Sequence, residues 1–247
     1  MDPLHQFQIV PIVPIHLGDL DVSFSNSALY MVIAVALITA LLVFGMRGRD
    51  LVPGRLQSLA EMFYEFVANM VRENAGHDAR KYFPFVFSLF MFILFGNLLG
   101  MIPGTFTFTS HIIVTFALAL TVFAFVTLLG LVKHGLHFFS LFMPHGAPMA
   151  LAPILIPIEV LSYMSRPVSL SIRLFANMMA GHTMLKVFAG FSVLLGAGLG
   201  GGGYAIGILP LIINVALIGF EILVAFLQAY VFTILTCLYI RDALELH

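Results

Sequence analysis

Glu159, Arg166 and Arg173 recur every seven residues in a stretch of chain that is otherwise almost wholly apolar. Seven helical residues fall only about 20° short of two full turns, so all three share one face of a helix. Asn177 stands one turn beyond Arg173 on that face. Further along, Asn214, Glu221 and Gln228 repeat the spacing, which puts a second polar stripe on a second apolar helix. A charged group inside a membrane span costs about 2.5 to 3.5 kcal/mol on insertion scales, so such groups face a protein interior or an aqueous cavity and mark an ion path.

His182 follows Arg173 by nine residues, on the opposite side of the helix and roughly 13 Å further along it. Histidine titrates near neutral pH and a carboxylate can exchange protons with it. His182 facing Glu221 across a helical hairpin would therefore form a proton-accessible site. Arg173 cannot carry a proton, because a guanidinium stays charged; it is a fixed positive charge that repels cations and attracts a carboxylate.

Blander readings stand beside these. Lys186 and Arg166 also suit side chains that snorkel to a membrane face, as Arg241 near the chain's end does. His182 alone could be a packed histidine bonded to a backbone carbonyl. Asn214 and Gln228 could be interhelical glue. Arg173 has about fifteen apolar-rich residues on either side, too many for an end anchor. His134, His137 and His145 fall in a short loop without acidic partners and read as solvated residues, not a metal site. Neither a metal nor a cofactor is expected.

Membrane helices are expected to carry these residues. Of the 247 residues, 61% are hydrophobic and 9% charged, whereas soluble domains are about 25% charged. A net charge of −1 gives no basic face for nucleic acid. Cys237 is the only cysteine, so neither a disulfide framework nor a thiolate cluster is available, and it is either lipid-facing or packed. No Lys or Arg precedes Arg47, the opposite of a signal peptide, so the first apolar stretch is expected to be a retained span.

That span is expected over 27–46, after an outer-side segment 1–26, and a transmembrane hairpin over 83–132 turns at Pro103-Gly104. Arg47, Arg49, Arg55, Arg72, Arg80 and Lys81 all lie between them. The excess of basic residues places that connection in the cytoplasm and the N-terminal segment outside. Within it, residues 54–76 alternate apolar and polar faces at helical spacing, with Leu56, Leu59, Met62, Phe63, Phe66, Val67, Met70 and Val71 against Gln57, Glu61, Glu65 and Arg72. Such a helix is expected to lie in the membrane interface, or else to be a soluble cytoplasmic helix. Two long helices close the chain, over 148–190 and 204–241. The first is patterned without interruption from Ile158, after Pro148, Pro153 and Pro157, for about 33 residues or roughly 50 Å. It must tilt, bend or lie along a core of about 30 Å. The glycine-rich run 196–203 suits a turn between them and is not a phosphate loop, since no Gly-Lys-Ser/Thr follows. The fold class is an all-α polytopic membrane protein with about five crossings, one interfacial helix and a steeply tilted final hairpin.

The run SRPVSLSIRLFANMMAGH from Ser165 to His182 closely resembles the signature of subunit a of F-type ATP synthases. The resemblance extends through Glu221 and the run LQAYVF from Leu227 to Phe232, and more loosely to NLLGMIP from Asn97, and it covers nearly the whole chain in order. It implies a proton-translocating stator subunit in a bacterial inner membrane, N-terminus outside and C-terminus cytoplasmic, partnered by a c-subunit ring, b-type peripheral stalk subunits and the other synthase subunits. Arg173 would then be the essential arginine facing the ring's carboxylates, with Asn177 and Gln228 as polar neighbours. His182 and Glu221 would line the outer half-channel and Glu159 the cytoplasmic one. In many bacterial relatives the acid and the histidine are exchanged between these two positions; here they look mitochondrial and alphaproteobacterial. The resemblance gives Lys186 no role. The subunit would be non-catalytic in itself.

The runner-up is a self-contained proton-coupled secondary transporter, but no inverted repeat is visible. An inert assembly subunit would make both polar stripes dispensable. An intramembrane hydrolase lacks a His-Glu-x-x-His motif and any Asp within the apolar stretches.

Overall fold

The computed structural model describes residues 7–17, 20–21, 23–47, 53–102, 104–135, 137–138, 152–198 and 203–245. Expectations placed on residues 1–6, Arg49, Pro103, His145, Pro148 and positions 199–202 of the glycine run lie outside the described residues. Among these there are six α-helices: α1 (Asn26–Gly45), α2 (Arg55–Ala75), α3 (Phe83–Gly100), α4 (Ile112–His134), α5 (Ala152–Gly198) and α6 (Gly203–Leu244). Five helical stretches are long and apolar enough to cross a membrane: Asn26–Gly45, Asp78–Gly100, Ile112–His134, Ala152–Gly196 and Gly207–Leu244. Large apolar side chains such as Val32, Val43, Ile113, Leu128, Leu161 and Leu209 are exposed on them. That surface suits lipid as solvent and not water. The chain is a multi-pass all-α membrane protein.

Ahead of α1 the chain makes two small antiparallel pairings. β1 (Pro11–Val13) pairs with β4 (Phe24–Ser25), and β2 (His16–Leu17) pairs with β3 (Leu20–Asp21).

The two long helices differ from expectation at their ends. Pro157 lies inside α5, which starts at Ala152, and Gly196–Gly198 still belong to it. Pro153 suits the first turn, where its missing N–H would be unpaired in any case. Pro157 and Pro167 inside α5 and Pro210 inside α6 each remove one helical bond, a loss that neighbouring packing can offset in a membrane helix. At 47 residues, α5 is roughly 70 Å long and cannot stand upright in a core of about 30 Å.

The chain forms two compact units. One comprises the chain up to Ile38, Phe92–His111 and Leu174–Ala229. In it, Asn97 of α3 donates from Nδ2 to the carbonyl of Ala225 in α6 at 3.2 Å, and Ser192 Oγ of α5 donates to the Gly207 carbonyl of α6 at 2.7 Å. Gly96 and Gly100, one turn apart on α3, leave a groove that receives the side chains of Phe108 and Thr107. A methyl group at either glycine would overlap the incoming side chain, so this spacing seats the loop that follows α3.

The other unit comprises Thr39–Met91, Ile112–Arg173 and the chain from Tyr230. Val67, Met70 and Val71 of α2 are buried, and Phe63, Tyr64 and Phe66 meet Phe90, Phe83 and Tyr230 respectively. Leu56 and Met62 of the same apolar stripe remain exposed. Phe85 stacks on Phe125 of α4 with centroids 4.1 Å apart. Lys133 Nζ, at the end of α4, donates to the Leu244 carbonyl at 2.9 Å, a cation at a helix C-terminus. Cys237 is packed and fully buried.

Candidate functional site

Two ionisable side chains of the first unit meet in its interior. His182 of α5 is 8% exposed and Glu221 of α6 is 5% exposed. His182 Nδ1 lies 3.7 Å from Glu221 Oε1, longer than a hydrogen bond yet within the span of an ion pair. Both Glu221 carboxylate oxygens are buried with no hydrogen-bond donor among the described residues. Such a group can gain or lose a proton without breaking a bond elsewhere.

The position of the Glu221 carboxylate depends on Gly181. A Cβ at that position would lie 2.5 Å from Glu221 Oε1, so only glycine lets the carboxylate reach the α5 backbone. Beside the pair is a cavity of about 190 Å³ bordered by Asn177, Gly181, Met184, Leu217, Phe220 and Glu221.

The other imidazole nitrogen is held from the loop seated on α3. The Thr105 hydroxyl lies within donating distance of two carbonyls, Leu99 at 2.5 Å and Ile102 at 2.7 Å, and His111 stacks on Phe106 at 5.1 Å. Burial holds the His111 imidazole below the usual histidine range, which favours its neutral form. So fixed, the loop brings Thr107 Oγ1 to 3.2 Å from His182 Nε2 and 3.4 Å from the Gly100 carbonyl. A hydroxyl has one proton to give. Donated to Gly100, it leaves the oxygen to accept from Nε2–H and turns the Nδ1 lone pair toward Glu221. Thr107, His182 and Glu221 thus follow one another from the loop to the cavity.

The other expected residues are distributed as follows. Asn177 borders the cavity. The amide nitrogens of Asn177 and Gln228 and the amide oxygen of Asn214 are buried without partners among the described residues. Lys186 borders a separate cavity of about 380 Å³ with Gln8, Asn26 and Tyr30. In the second unit Arg173 is exposed on the chain's surface, as are Val168 and Ile172 beside it, and no carboxylate among the described residues pairs with it. Glu159 is partly exposed. Arg166 pairs with Asp242 at 3.0 Å and lies over the rings of Tyr163 and Tyr239 at 5.4 and 5.1 Å.

Thr107 and Gly181 escaped the sequence reading. The Gly96 and Gly100 spacing ahead of a threonine-rich loop was the available signal for the first, and the glycine immediately before His182 for the second.

The family model described as ATP synthase A chain matches residues 28–241. The ATP synthase subunit a of Parvibaculum lavamentivorans is 59% identical over 245 residues, covering 99% of this chain and 94% of the relative. That of Paramagnetospirillum magneticum is 56% identical over 250 residues, covering 100% and 99%, and that of Mesorhizobium japonicum is 58% identical over 245 residues, covering 99% and 97%. With a match spanning most of its length and relatives this similar end to end, the chain belongs to the ATP synthase A chain family.

Proposed function

We propose that this chain is the proton-conducting stator subunit of a rotary ATP synthase, with two offset half-channels that deliver protons to and from carboxylates on a ring of c subunits. Protons enter from the outer side, pass His182 and Glu221, and neutralise a ring carboxylate. That carboxylate turns with the ring and discharges through a cytoplasmic half-channel past Glu159. Arg173 lies between the two paths. As a permanent cation it blocks proton hopping between them and draws each passing carboxylate into its ionised form. Asn177 and Gln228 supply polar contacts beside it. Peripheral stalk subunits of the b type hold the chain against the ring's rotation in a bacterial inner membrane, with the N-terminus outside and the C-terminus cytoplasmic. The chain performs no nucleotide chemistry itself. Each proton crossing supplies about 2.3 kcal/mol per 100 mV, so several must be coupled to each ATP.

The observation that carries this reading is the buried His182 and Glu221 pair beside a cavity, 3.7 Å apart. The exposed Arg173, which has no carboxylate partner among the described residues, supports a partner that brings one. The test is passive proton flux through the membrane sector in vesicles. Glu221→Gln is expected to reduce flux at least tenfold while the complex assembles, and unchanged flux removes Glu221 from the path.

A further inference from the structure

The segment ahead of α1 has no part in the path just described, yet its Phe7 ring stands edge-on to the His182 imidazole, with centroids 6.4 Å apart and planes at 68°. Asn26, the first residue of α1, fixes this segment. Its side-chain amide donates to the Gln8 carbonyl at 3.1 Å and its Oδ1 accepts from Val10 N–H at 3.2 Å. Its own N–H donates to the Val10 carbonyl at 3.1 Å. Gln8 and Asn26, with Tyr30, Thr105 and Lys186, then border the cavity of about 380 Å³. In sequence, that cavity's lining comes within two residues of Thr107 on the loop and within one helical turn of His182 on α5.

We propose that this segment is a working part of the proton intake, in which Gln8 and Lys186 border an aqueous vestibule and Phe7 is a positioning residue for His182. The proposal rests on the half-channel reading of the same site. Among the described residues the imidazole has one hydrogen bond, 3.2 Å from Thr107, and its 3.7 Å approach to Glu221 is too long to orient a ring. The two side-chain torsions of a histidine are not fixed by one such bond. Phe7 against the ring supplies the missing restraint, and an edge-to-face contact is the aromatic arrangement with a preferred angle. Asn26 makes that restraint persist, because three hydrogen bonds tie Gln8 and Val10 to a membrane helix. Lys186 thereby acquires a place, as a cation on the vestibule wall.

The test uses the assembled complex in vesicles, reading passive proton flux. Phe7→Ala is expected to lower flux about fivefold, the equivalent of one aromatic contact, and Phe7→Leu to restore it to within about twofold by returning bulk to the ring face. Asn26→Ala should produce the same defect, and the double variant should be no worse than either single one. Separately, Gln8→Cys should react with a membrane-impermeant methanethiosulfonate and lose flux on labelling, while buried Cys237 stays unmodified. Wild-type flux in Phe7→Ala, failure of Phe7→Leu to rescue, or an unreactive Gln8→Cys overturns the proposal while leaving the path intact if Glu221→Gln is still blocked. Normal flux in Glu221→Gln overturns both.

Discussion

Gly181 and Glu221 are in such close contact that a methyl group on the glycine would lie 2.5 Å from Oε1 and 2.9 Å from the carboxyl carbon. The carboxylate is the far end of a flexible side chain, so Gly181→Ala displaces it and leaves the backbone alone. Alanine is also the better helix former, by up to about 1 kcal/mol. The variant should assemble normally and lose proton flux on the order of tenfold, since displacing a reacting group by about an ångström is enough to disrupt transfer. Adding Glu221→Asp, one methylene shorter, should recover part of that loss. Wild-type flux in Gly181→Ala would show that the carboxylate's position is not critical.

Thr107 acts through its hydroxyl. Thr107→Val keeps the shape that fills the groove at Gly100 but leaves His182 Nε2 without its partner, a loss of about 1 to 3 kcal/mol for a buried donor. Thr107→Ser keeps the oxygen. Proton flux should fall several-fold in the valine variant and stay near normal in the serine one. Equal flux in both would remove the hydroxyl from the path.

Much of this arrangement was legible in the residues. The seven-residue spacings gave two polar stripes, and the nine-residue step from Arg173 to His182 turned the histidine away from the arginine. In the structure Arg173 is exposed and His182 buried. Helical periodicity reads which residues share a face but carries no information about contacts between segments far apart in sequence. Thr107 reaches His182 across 75 residues, and Phe7 reaches it from the other end of the chain, so neither contact leaves a local pattern. The first turns of α5 are less regular in the sequence for a different reason. Proline is a strong breaker in water, so the helical pattern is uninterrupted only from Ile158 within the expected 148–190 helix, whereas α5 runs from Ala152 through Pro157.

Arg173 should tolerate neither loss of charge nor change of shape. Arg173→Ala should abolish ATP synthesis driven by an imposed proton gradient in complexes that still assemble. Arg173→Lys keeps a cation but replaces the planar fork with a compact, strongly hydrated ammonium that can release its proton when buried, so synthesis should remain severely reduced. Coupled synthesis at normal rates in Arg173→Ala would end the barrier role.

Arg166 shares a seven-residue stripe with Arg173, yet its surroundings give it a different job. Its guanidinium pairs with Asp242 and lies over Tyr163 and Tyr239, and the Tyr163 hydroxyl is bonded to Thr127 of α4 at 2.8 Å. With side chains 26% and 47% exposed, the ion pair is worth about 0.2 to 1 kcal/mol, and each ring contact adds about 0.5 to 1 kcal/mol. Asp242→Asn should therefore lower the subunit's melting temperature slightly and Arg166→Ala more, with a coupling energy below about 1 kcal/mol in a double-mutant cycle. Proton flux should stay near normal in both, because removing this latch alters neither His182 nor Glu221. If Arg166→Ala instead stopped flux as completely as Glu221→Gln at a temperature where the complex remains folded, Arg166 would belong to the conducting path and not to the packing of α5 against α6.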